Sequence, residues 1–371
     1  MTPRGPDPAA DLDEALALIR PDLRTLPAYR PTPRGARHKL NQNESPYPLP
    51  PALREAVLER LASVEWNRYP EAVPRRLTDR LAAHTGWLAE GILVGAGSND
   101  LLASAIGAAV GPGDAVVAPA PTYAVYRLAT LLHAGRYRPV PLASGFRYEP
   151  DAIVAEARRE RARVVILCAP NNPTGTDLAP EDVRAVLEGT DGFVFVDEAY
   201  REFGGRSALE LLPGHPRLVV FRTLSKAFGA AGLRLGYALA HPAVVAELRK
   251  ARLPYAVNAP ALAVAEVLLE RADEAGSHVA DLVAERGRMQ RLAGELPGLE
   301  VVPSATNFFL VRTSVVPPRV LFERLRDEHS VLVRDVSGQP GLEGYVRISV
   351  GTAEDTDALV AGLRAIVGPG R

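Results

Sequence analysis

Lysine is scarce in this chain, and one lysine stands where amine chemistry is favoured. Lys and Arg total 43 residues, of which three are lysines (Lys39, Lys226 and Lys250), so forty are arginines. Arginine can replace lysine on a solvated surface, but its guanidinium cannot form a Schiff base with a carbonyl group. Lys226 lies in TLSKAF among apolar and small residues, where burial would lower the pKa of its amine. We therefore predict that Lys226 is a nucleophilic amine, and a surface lysine after a strand is the alternative.

Polar side chains that suit a flat cofactor follow other apolar runs. Asp197 ends FVFVD, and a carboxylate there needs a cationic or donor partner. It can keep a pyridine nitrogen protonated so that the ring withdraws electrons, or it can cap a helix or pair with an arginine. Tyr200 and Asn172 can hydrogen-bond an oxygen on such a ring, Asn172 can instead bind a substrate carboxylate, and Tyr123 can stack on the ring. Core packing is the alternative for both tyrosines, and turn formation in PNNPTG accounts for the neighbouring prolines and glycine.

Two short segments favour phosphate binding. Thr223 and Ser225 flank the lysine segment with hydroxyl groups, and Arg234 in GLRLG adds a cation, which together suit a phosphate. Gly97 lies in GAGSND before a helical pattern, where backbone N–H groups at a helix N-terminus bind anions. The glycines do not complete GxGxxG, and no GxxxxGK[ST], HExxH or GxSxG occurs. Dinucleotide, nucleoside-triphosphate, metal and serine-nucleophile sites are therefore disfavoured.

The elements that would position these residues form a repeating pattern of apolar strands and helices. Each predicted strand is followed by polar residues (SND, TY, NNPTG, DEAY and LSK). Because ligands collect at the carboxyl ends of parallel strands, these residues should converge. The predicted strands are GILVG (91–95), AVVAP (115–119), RVVILCAP (163–170), GFVFVDEA (192–199) and RLVVFRT (217–223).

The pattern predicts an α/β protein in three parts. Residues 1–40 read as an N-terminal arm rich in Pro and Arg, and residues 41–254 as a large domain with a mostly parallel sheet covered by helices. Residues 255–371 read as a smaller α+β domain. Its predicted helices are 259–273 and 277–295, and its predicted strands are 307–313, 330–336 and 344–350.

Composition excludes several classes of partner. The net charge of -1 gives no electrostatic basis for binding nucleic acid or an anionic membrane. The single cysteine excludes an internal disulfide. The first residues lack the apolar run of a signal peptide, and no apolar stretch approaches the roughly 18 residues of a membrane span. We therefore expect a cytoplasmic protein.

Several motifs resemble those of known enzymes. PNNPTG, VDEAY, TLSKAF and GLRLG, in this order, resemble the fold-type-I pyridoxal-phosphate (PLP) aminotransferases, and the similarity runs from about Tyr29 to Gly351. More narrowly, the chain is similar to the histidinol-phosphate aminotransferase family. The segments that carry this narrower similarity are LPAY (26–29), LNQNE (40–44), RYP (68–70), VRD (333–335) and RISVG (347–351).

The resemblance implies PLP as the cofactor and assigns residues to it. Lys226 would hold the cofactor as a Schiff base and move a proton at the substrate α-carbon. Asp197 would pair with the pyridine nitrogen, while Tyr200 and Asn172 would contact the ring oxygen and Tyr123 would lie against the ring. The phosphate would be bound by Gly97, Ser98, Asn99, Thr223, Ser225 and Arg234.

The resemblance also assigns residues beyond the cofactor. Tyr69 would reach the cofactor phosphate of a neighbouring subunit, which implies a homodimer. Arg347 would bind the carboxylate of the amino donor, Arg334 and Tyr29 would bind the distal phosphate of the substrate, and Asn43 would contact the substrate. The family usually has G-[SA]-D-E where this chain has Gly97-Ser98-Asn99-Asp100, so a carboxylate is lost at the third position.

The expected activity is amino transfer between histidinol phosphate and 2-oxoglutarate, which yields imidazole-acetol phosphate and glutamate in histidine biosynthesis. Broad-specificity aromatic aminotransferases and threonine-phosphate decarboxylases share most of the motifs and are the alternatives. Ligand-sensing regulators of this fold carry a DNA-binding domain ahead of it. Only about forty residues precede LNQNE, without a helix-turn-helix pattern, so we expect an enzyme.

Overall fold

The computed structural model describes residues 8–24, 26 and 35–368, so Tyr29 and most of LPAY lie outside the described residues. The strands are β1 (His38–Lys39), β2 (Ile92–Gly95), β3 (Ala115–Ala120), β4 (Arg136–Pro141), β5 (Val164–Cys168), β6 (Phe193–Asp197), β7 (Leu218–Thr223), β8 (Gly236–Ala240), β9 (Leu299–Val301), β10 (Phe308–Thr313), β11 (Val331–Leu332), β12 (Arg334–Asp335) and β13 (Tyr345–Ser349). The α-helices are α1 (Pro8–Ala17), α2 (Pro21–Arg24), α3 (Pro51–Ala62), α4 (Arg75–Thr85), α5 (Ser98–Ala109), α6 (Val125–Leu132), α7 (Pro150–Glu160), α8 (Pro180–Gly189), α9 (Pro242–Lys250), α10 (Ala259–Glu270), α11 (Ala272–Ala275), α12 (Val279–Gly294), α13 (Pro318–His329) and α14 (Ala353–Val367).

A seven-stranded sheet forms the centre of the molecule, in the order β2-β8-β7-β6-β5-β3-β4. The pairs from β7 through β6, β5 and β3 to β4 are parallel, and β8 runs antiparallel to both of its neighbours. Strands such as VVILC are buried along their whole length, as expected where helices cover both faces of a sheet. The prediction of an α/β fold with a mostly parallel sheet is confirmed.

A second sheet of four strands, in the order β12-β13-β10-β9, lies in the C-terminal part of the chain. Its neighbouring strands are antiparallel, and α12, α13 and α14 pack together beside it. Strand β1 pairs in parallel with β11, which ties the start of the main body to the C-terminal part. The α+β character predicted for this region is confirmed, whereas the proposed boundary at residue 254 stays a prediction.

Some strands differ from the prediction. Strands β1, β4, β8 and β9 had no counterpart in it. The predicted strand 330–336 is divided into β11 and β12, which pair with different partners. The two residues of β11 are both buried because α13 and α14 pack against it. No described helix is long and apolar enough to cross a membrane.

Candidate active site

The carboxyl ends of the central strands surround a cavity of about 180 Å³. Residues that follow β2, β3, β5, β6 and β7 all reach this cavity. This is the convergence that the polar residues after the predicted strands led us to expect. The lining residues are Ser98, Asn99, Tyr123, Cys168, Asn172, Asp197, Ala199, Tyr200, Thr223, Ser225, Lys226 and Arg234. Most of the predicted cofactor residues therefore share one cavity.

Lys226 presents its amine in this cavity from the turn after β7. Its Nζ donates to the backbone carbonyl of Gln42 at 3.2 Å. Burial, with a further contribution from the Arg347 charge, lowers the pKa of Lys226 to about 8. The neutral form, which a nucleophile requires, is therefore a minor but accessible fraction of the amine near neutral pH. Lys39 and Lys250 are instead exposed and form ion pairs with Glu44 and Glu247.

Asp197 is a buried carboxylate at the end of β6. Its Oδ2 accepts from the Tyr126 hydroxyl at 2.8 Å, and its Oδ1 accepts from the backbone N–H of Ala199 at 3.1 Å. Burial raises the pKa of Asp197 to about 6, against the effect of these hydrogen bonds. The carboxylate is thus largely ionised at neutral pH and can receive a cationic N–H from the cavity.

The residues beside Asp197 and Thr223 hold strands β6 and β7 in register. Arg222 and Glu198 form a buried ion pair, with Nε and Nη2 of the guanidinium each 2.9 Å from the carboxylate. Glu198 also accepts from the backbone N–H of Ala208 at 2.7 Å. The two buried charges are thus paired and hydrogen-bonded, as burial away from water requires. This pair fixes the strand ends that carry the site.

Tyr200 stands at the centre of a hydrogen-bonded chain. Its hydroxyl oxygen accepts from Nδ2 of Asn43 at 3.1 Å and from Nδ2 of Asn172 at 3.2 Å. Since both lone pairs are used, the hydroxyl proton is left to donate elsewhere. Oδ1 of Asn172 accepts from Arg347 at 2.8 Å, and Oδ1 of Asn43 accepts from Ser349 at 2.9 Å. The chain links β13 to the edge of the cavity.

Hydroxyl, guanidinium and backbone donors meet in another part of the cavity, at the N-terminus of α5. The Thr223 and Ser225 hydroxyl oxygens lie 2.9 Å apart, and Arg234 approaches Ser225 at 3.4 Å. Ser98 begins α5, so its backbone N–H is free of an intrahelical partner. This donor set suits a phosphate group.

Glycine is required at the turn before α5. Gly97 has φ of +93°, and a Cβ there would lie 2.9 Å from an Nη of Arg234. A Cβ at Gly236 would lie 2.4 Å from the backbone nitrogen of Ser98. Both side-chain positions are therefore closed by groups of the donor set that suits a phosphate.

The Asn99-Asp100 pair has two separate contacts. Nδ2 of Asn99 donates to the Tyr123 hydroxyl at 3.1 Å, and Oδ2 of Asp100 accepts from the backbone N–H of Ala96 at 3.2 Å. Arg252 lies 3.4 Å from the same carboxylate oxygen. The asparagine thus orients the aromatic residue, while the aspartate fixes the turn.

Two arginines lie directly opposite each other on β12 and β13. Arg334 pairs with Arg347 in the antiparallel register, so their side chains share one face of the small sheet. Arg347 also donates to the backbone carbonyl of Asn41 at 2.8 Å. The two guanidinium groups give this face positive charge, and guanidinium groups bind carboxylates and phosphates through paired N–H donors, so the face suits an anionic ligand.

Five of the predicted site residues that the structure describes do not line the cavity: Gly97, Asn43, Arg334, Arg347 and Tyr69. Tyr69 is 83% exposed and its ring stacks on Tyr255 at 4.8 Å between centroids. Tyr29 lies outside the described residues. Sequence reasoning missed Tyr126, Ser349 and Arg252; Tyr126 follows Tyr123 by three residues, and this helical spacing was the one available signal.

The fold and this site define a class of enzyme that combines a buried lysine, a carboxylate and an anion cradle at the strand ends of an α/β sheet. Comparison with known families agrees: residues 38–363 match the family described as aminotransferase class I and II. The chain belongs to this family, and the predicted family resemblance is confirmed. No group of three or more His, Cys, Asp or Glu side chains in the described ranges could hold a metal ion.

Individual relatives cover almost the whole chain. The histidinol-phosphate aminotransferase of Chlorobaculum tepidum is 36% identical over 352 residues, which are 94% of this chain and all of that protein. Histidinol-phosphate aminotransferase 2 of Nitrosococcus oceani is 38% identical over 95% of this chain and 98% of its own. The crystal structure of histidinol-phosphate aminotransferase from Sinorhizobium meliloti in complex with pyridoxal-5'-phosphate has a TM-score of 0.86 and 28% identity, covering 95% of this chain and 98% of that one.

Proposed function

We propose that this protein is a PLP-dependent aminotransferase that interconverts histidinol phosphate and 2-oxoglutarate with imidazole-acetol phosphate and glutamate. The relatives of 36% and 38% identity carry the name of this activity. The observation within the chain that carries the proposal is the convergence of Lys226, Asp197 and a phosphate-binding donor set in one cavity.

The residues of the cavity fit PLP by their chemistry. The cofactor has an aldehyde, a pyridine nitrogen, a ring oxygen and a phosphate. The cavity offers one group for each: the amine of Lys226, the carboxylate of Asp197, the free proton of Tyr200 and the hydroxyl and guanidinium donors near Ser225. Glycine at position 97 leaves room for the arginine that completes the last set.

When bound, PLP supplies a carbonyl group that accepts the amino group and a protonated ring that withdraws electrons from the substrate. The protein residues position and move protons. Asp197 keeps the ring nitrogen protonated, and Tyr200 donates to the ring oxygen. With its pKa lowered to about 8, Lys226 can take a proton from the carbon of the amino donor that bears the amino group. In the second half-reaction it can give a proton to the corresponding carbon of the amino acceptor.

The opposed arginines supply the substrate end of the site. We assign Arg347 to the α-carboxylate of glutamate and Arg334, with Tyr29, to the phosphate of histidinol phosphate. Guanidinium groups bind carboxylates and phosphates through paired N–H donors. Asn43 and Asn172 lie between this face and Tyr200, where they contact the substrate.

Replacing each arginine in turn tests the substrate assignment. Arg334→Leu should lower kcat/KM for histidinol phosphate by about 30- to 200-fold, because a charge-assisted contact of roughly 2–3 kcal/mol is lost. Phenylalanine, which has no phosphate, should be used at the wild-type rate. Arg347→Leu serves as the matched variant and should impair the half-reaction with glutamate. If the ratio of kcat/KM for histidinol phosphate to kcat/KM for phenylalanine is the same in Arg334→Leu as in wild type, an aromatic aminotransferase is favoured.

Chemical trapping tests the cofactor assignment. The purified protein should be yellow, and borohydride should attach the chromophore irreversibly to Lys226, as read by peptide mapping. Lys39 and Lys250 are internal controls, since both are exposed amines in ion pairs. Label on either of them instead of Lys226 would contradict the assignment.

We further infer a homodimer in which Tyr69 contacts the cofactor phosphate of the partner subunit. Tyr69 and Tyr255 are exposed and stacked, and Leu253 beside Tyr255 is 84% exposed. Exposed apolar groups of this kind are typical of an interface. The expected cytoplasmic location and the lack of nucleic-acid and membrane partners stay predictions from the sequence.

A further inference from the structure

Tyr126 approaches the Asp197 carboxylate from helix α6. Its hydroxyl donates to Oδ2 at 2.8 Å, and the tyrosine side chain is fully buried. The other oxygen, Oδ1, accepts from the backbone N–H of Ala199. Each oxygen of the carboxylate therefore has one neutral donor, and together they fix the plane of the carboxylate.

Tyr126 does not line the cavity, whereas Asp197 does. The tyrosine hydroxyl therefore acts on a ligand through the carboxylate. Tyr123, which lines the cavity, contacts the Tyr126 ring edge to face, at 5.7 Å between centroids and 87° between planes. The start of α6 and the residues just before it thus position both the carboxylate, through Tyr126, and an aromatic wall of the cavity, through Tyr123.

The hydrogen bond from Tyr126 favours the ionised carboxylate. Burial raises the pKa of Asp197 to about 6, and the Tyr126 hydroxyl and the Ala199 N–H act in the opposite direction. Burial raises the pKa of Tyr126 itself, so its hydroxyl keeps its proton and remains a donor. Loss of this donor leaves a buried carboxylate with one partner fewer, and such a group takes up a proton more readily.

We propose that Tyr126 is a positioning residue that holds Asp197 ionised and oriented toward the ring nitrogen of the cofactor. The proposal rests on the proposed function, because it concerns a carboxylate that serves a pyridine ring. Tyr126 touches neither the cavity nor the reacting atoms, and its effect passes through Asp197.

A double-mutant cycle separates this role from ordinary packing. The affinity of the apoprotein for pyridoxal phosphate is measured for wild type, Tyr126→Phe, Asp197→Asn and the double variant. We expect Tyr126→Phe to weaken binding about 10-fold in the wild-type background, which corresponds to one charge-assisted hydrogen bond. In the Asp197→Asn background the same change should cost less than about 2-fold, because no carboxylate is left to hold.

Tyr148→Phe is the matched control. Tyr148 is another buried tyrosine, and its hydroxyl donates to the backbone carbonyl of Cys168, the residue that pairs with Asp197 in the sheet. The variant loses a buried hydroxyl one strand away but leaves the carboxylate contacts intact. Its affinity for pyridoxal phosphate should stay within about 2-fold of wild type.

The acid limb of the activity profile gives a second readout. Its midpoint should move upward by about one pH unit in Tyr126→Phe and should not move in Tyr148→Phe. All charged or titratable neighbours of Asp197 are present in both variants, apart from the substituted tyrosine. These neighbours are Lys226, Glu198, Cys168, Tyr123, Tyr126 and Tyr148.

Should Tyr126→Phe fail to fold, 3-fluorotyrosine at position 126 keeps the ring and strengthens the donor, and the acid midpoint should then move downward. Equal losses of affinity in both backgrounds of the cycle, or an unmoved midpoint in either Tyr126 variant, would overturn the proposal. A wild-type protein that binds no pyridoxal phosphate would instead overturn the proposed function.

Discussion

At the scale of single residues, the site depends on two side chains whose charged forms are destabilised by burial. Burial lowers the pKa of Lys226 to about 8 and raises the pKa of Asp197 to about 6. Between these values the amine is mostly charged and the carboxylate mostly ionised, but each can change its state at small cost. Groups with pKa values moved toward neutrality in a cleft are suited to proton transfer.

Replacing Asp197 by Asn tests the role of the carboxylate. The cofactor should remain bound through Lys226 and its phosphate, while the rate falls by roughly 100- to 1,000-fold, because the charge that develops in the transition state loses the protonated ring. Single-turnover absorbance with histidinol phosphate measures this rate. Asp177→Asn is the control, since Asp177 accepts from the backbone of Arg206 outside the cavity. A near-normal rate in Asp197→Asn would show that the carboxylate is structural.

At the scale of elements, we expect the turn before α5 to decide how the cofactor phosphate is held. Gly97→Ala should weaken pyridoxal phosphate binding by at least about 10-fold, because the new Cβ would lie 2.9 Å from Arg234. Gly113→Ala is the matched control: its φ of +81° imposes the same backbone strain, but nothing lies within 4 Å of a Cβ there. Binding measured by fluorescence should separate the two variants, and equal losses would trace the effect to backbone strain alone.

Two of the strands that the sequence did not predict were missed for different physical reasons. Strand β4 has the sequence RYRPVP, and its prolines fit only because it is an edge strand. Strand β8, GYALA, is short and antiparallel, so it breaks the strand-helix alternation on which the prediction relied. The buried parallel strands β5, β6 and β7 were predictable because a short continuous apolar run rich in β-branched residues is typical of a strand that is covered on both faces.

The site was predictable where residue type and strand end coincide, as for Lys226 and Asp197. It was not predictable where a contact depends on tertiary packing. The hydroxyl of Tyr126 meets Asp197 across 71 positions of sequence, and Asn43 meets Tyr200 across 157. A local sequence pattern cannot predict contacts between residues so far apart in the chain, because these contacts follow from how the helices and both sheets pack.

At the scale of the whole molecule, the dimer can be tested by complementation. Lys226→Ala and a Tyr69→Ala variant should each be inactive or nearly so, and mixing them should restore part of the activity. In the mixed dimer one site keeps both wild-type residues, because Tyr69 would come from the partner. Subunit exchange is verified with differently tagged chains. No recovery despite exchange would place Tyr69 in the site of its own subunit.

Stability of the apoprotein should depend on the buried amine. The pKa of Lys226 falls from 10.5 to about 8 on folding, so the folded state binds fewer protons between these values and stability rises with pH there. Below pH 8 the penalty is complete, at roughly 3 kcal/mol. Lys226→Met apoprotein should therefore unfold at a higher urea concentration than wild type at pH 7. The difference between the two unfolding midpoints should be smaller at pH 10. Lys250→Met, at an exposed ion pair, is the control, and an equal gain there would contradict the argument.

The contrast among the three lysines makes this chain a natural substrate for chemoselective labelling. Lys39 and Lys250 are exposed amines paired with carboxylates, whereas Lys226 is buried, its pKa is lowered to about 8 and it lies beside donors that attract an anion. An aldehyde reagent with an anionic tail would be guided to Lys226 by the cavity and would find an amine that is already half neutral at pH 8. One native side chain could thus carry a reporter group into the centre of the apoprotein without mutagenesis.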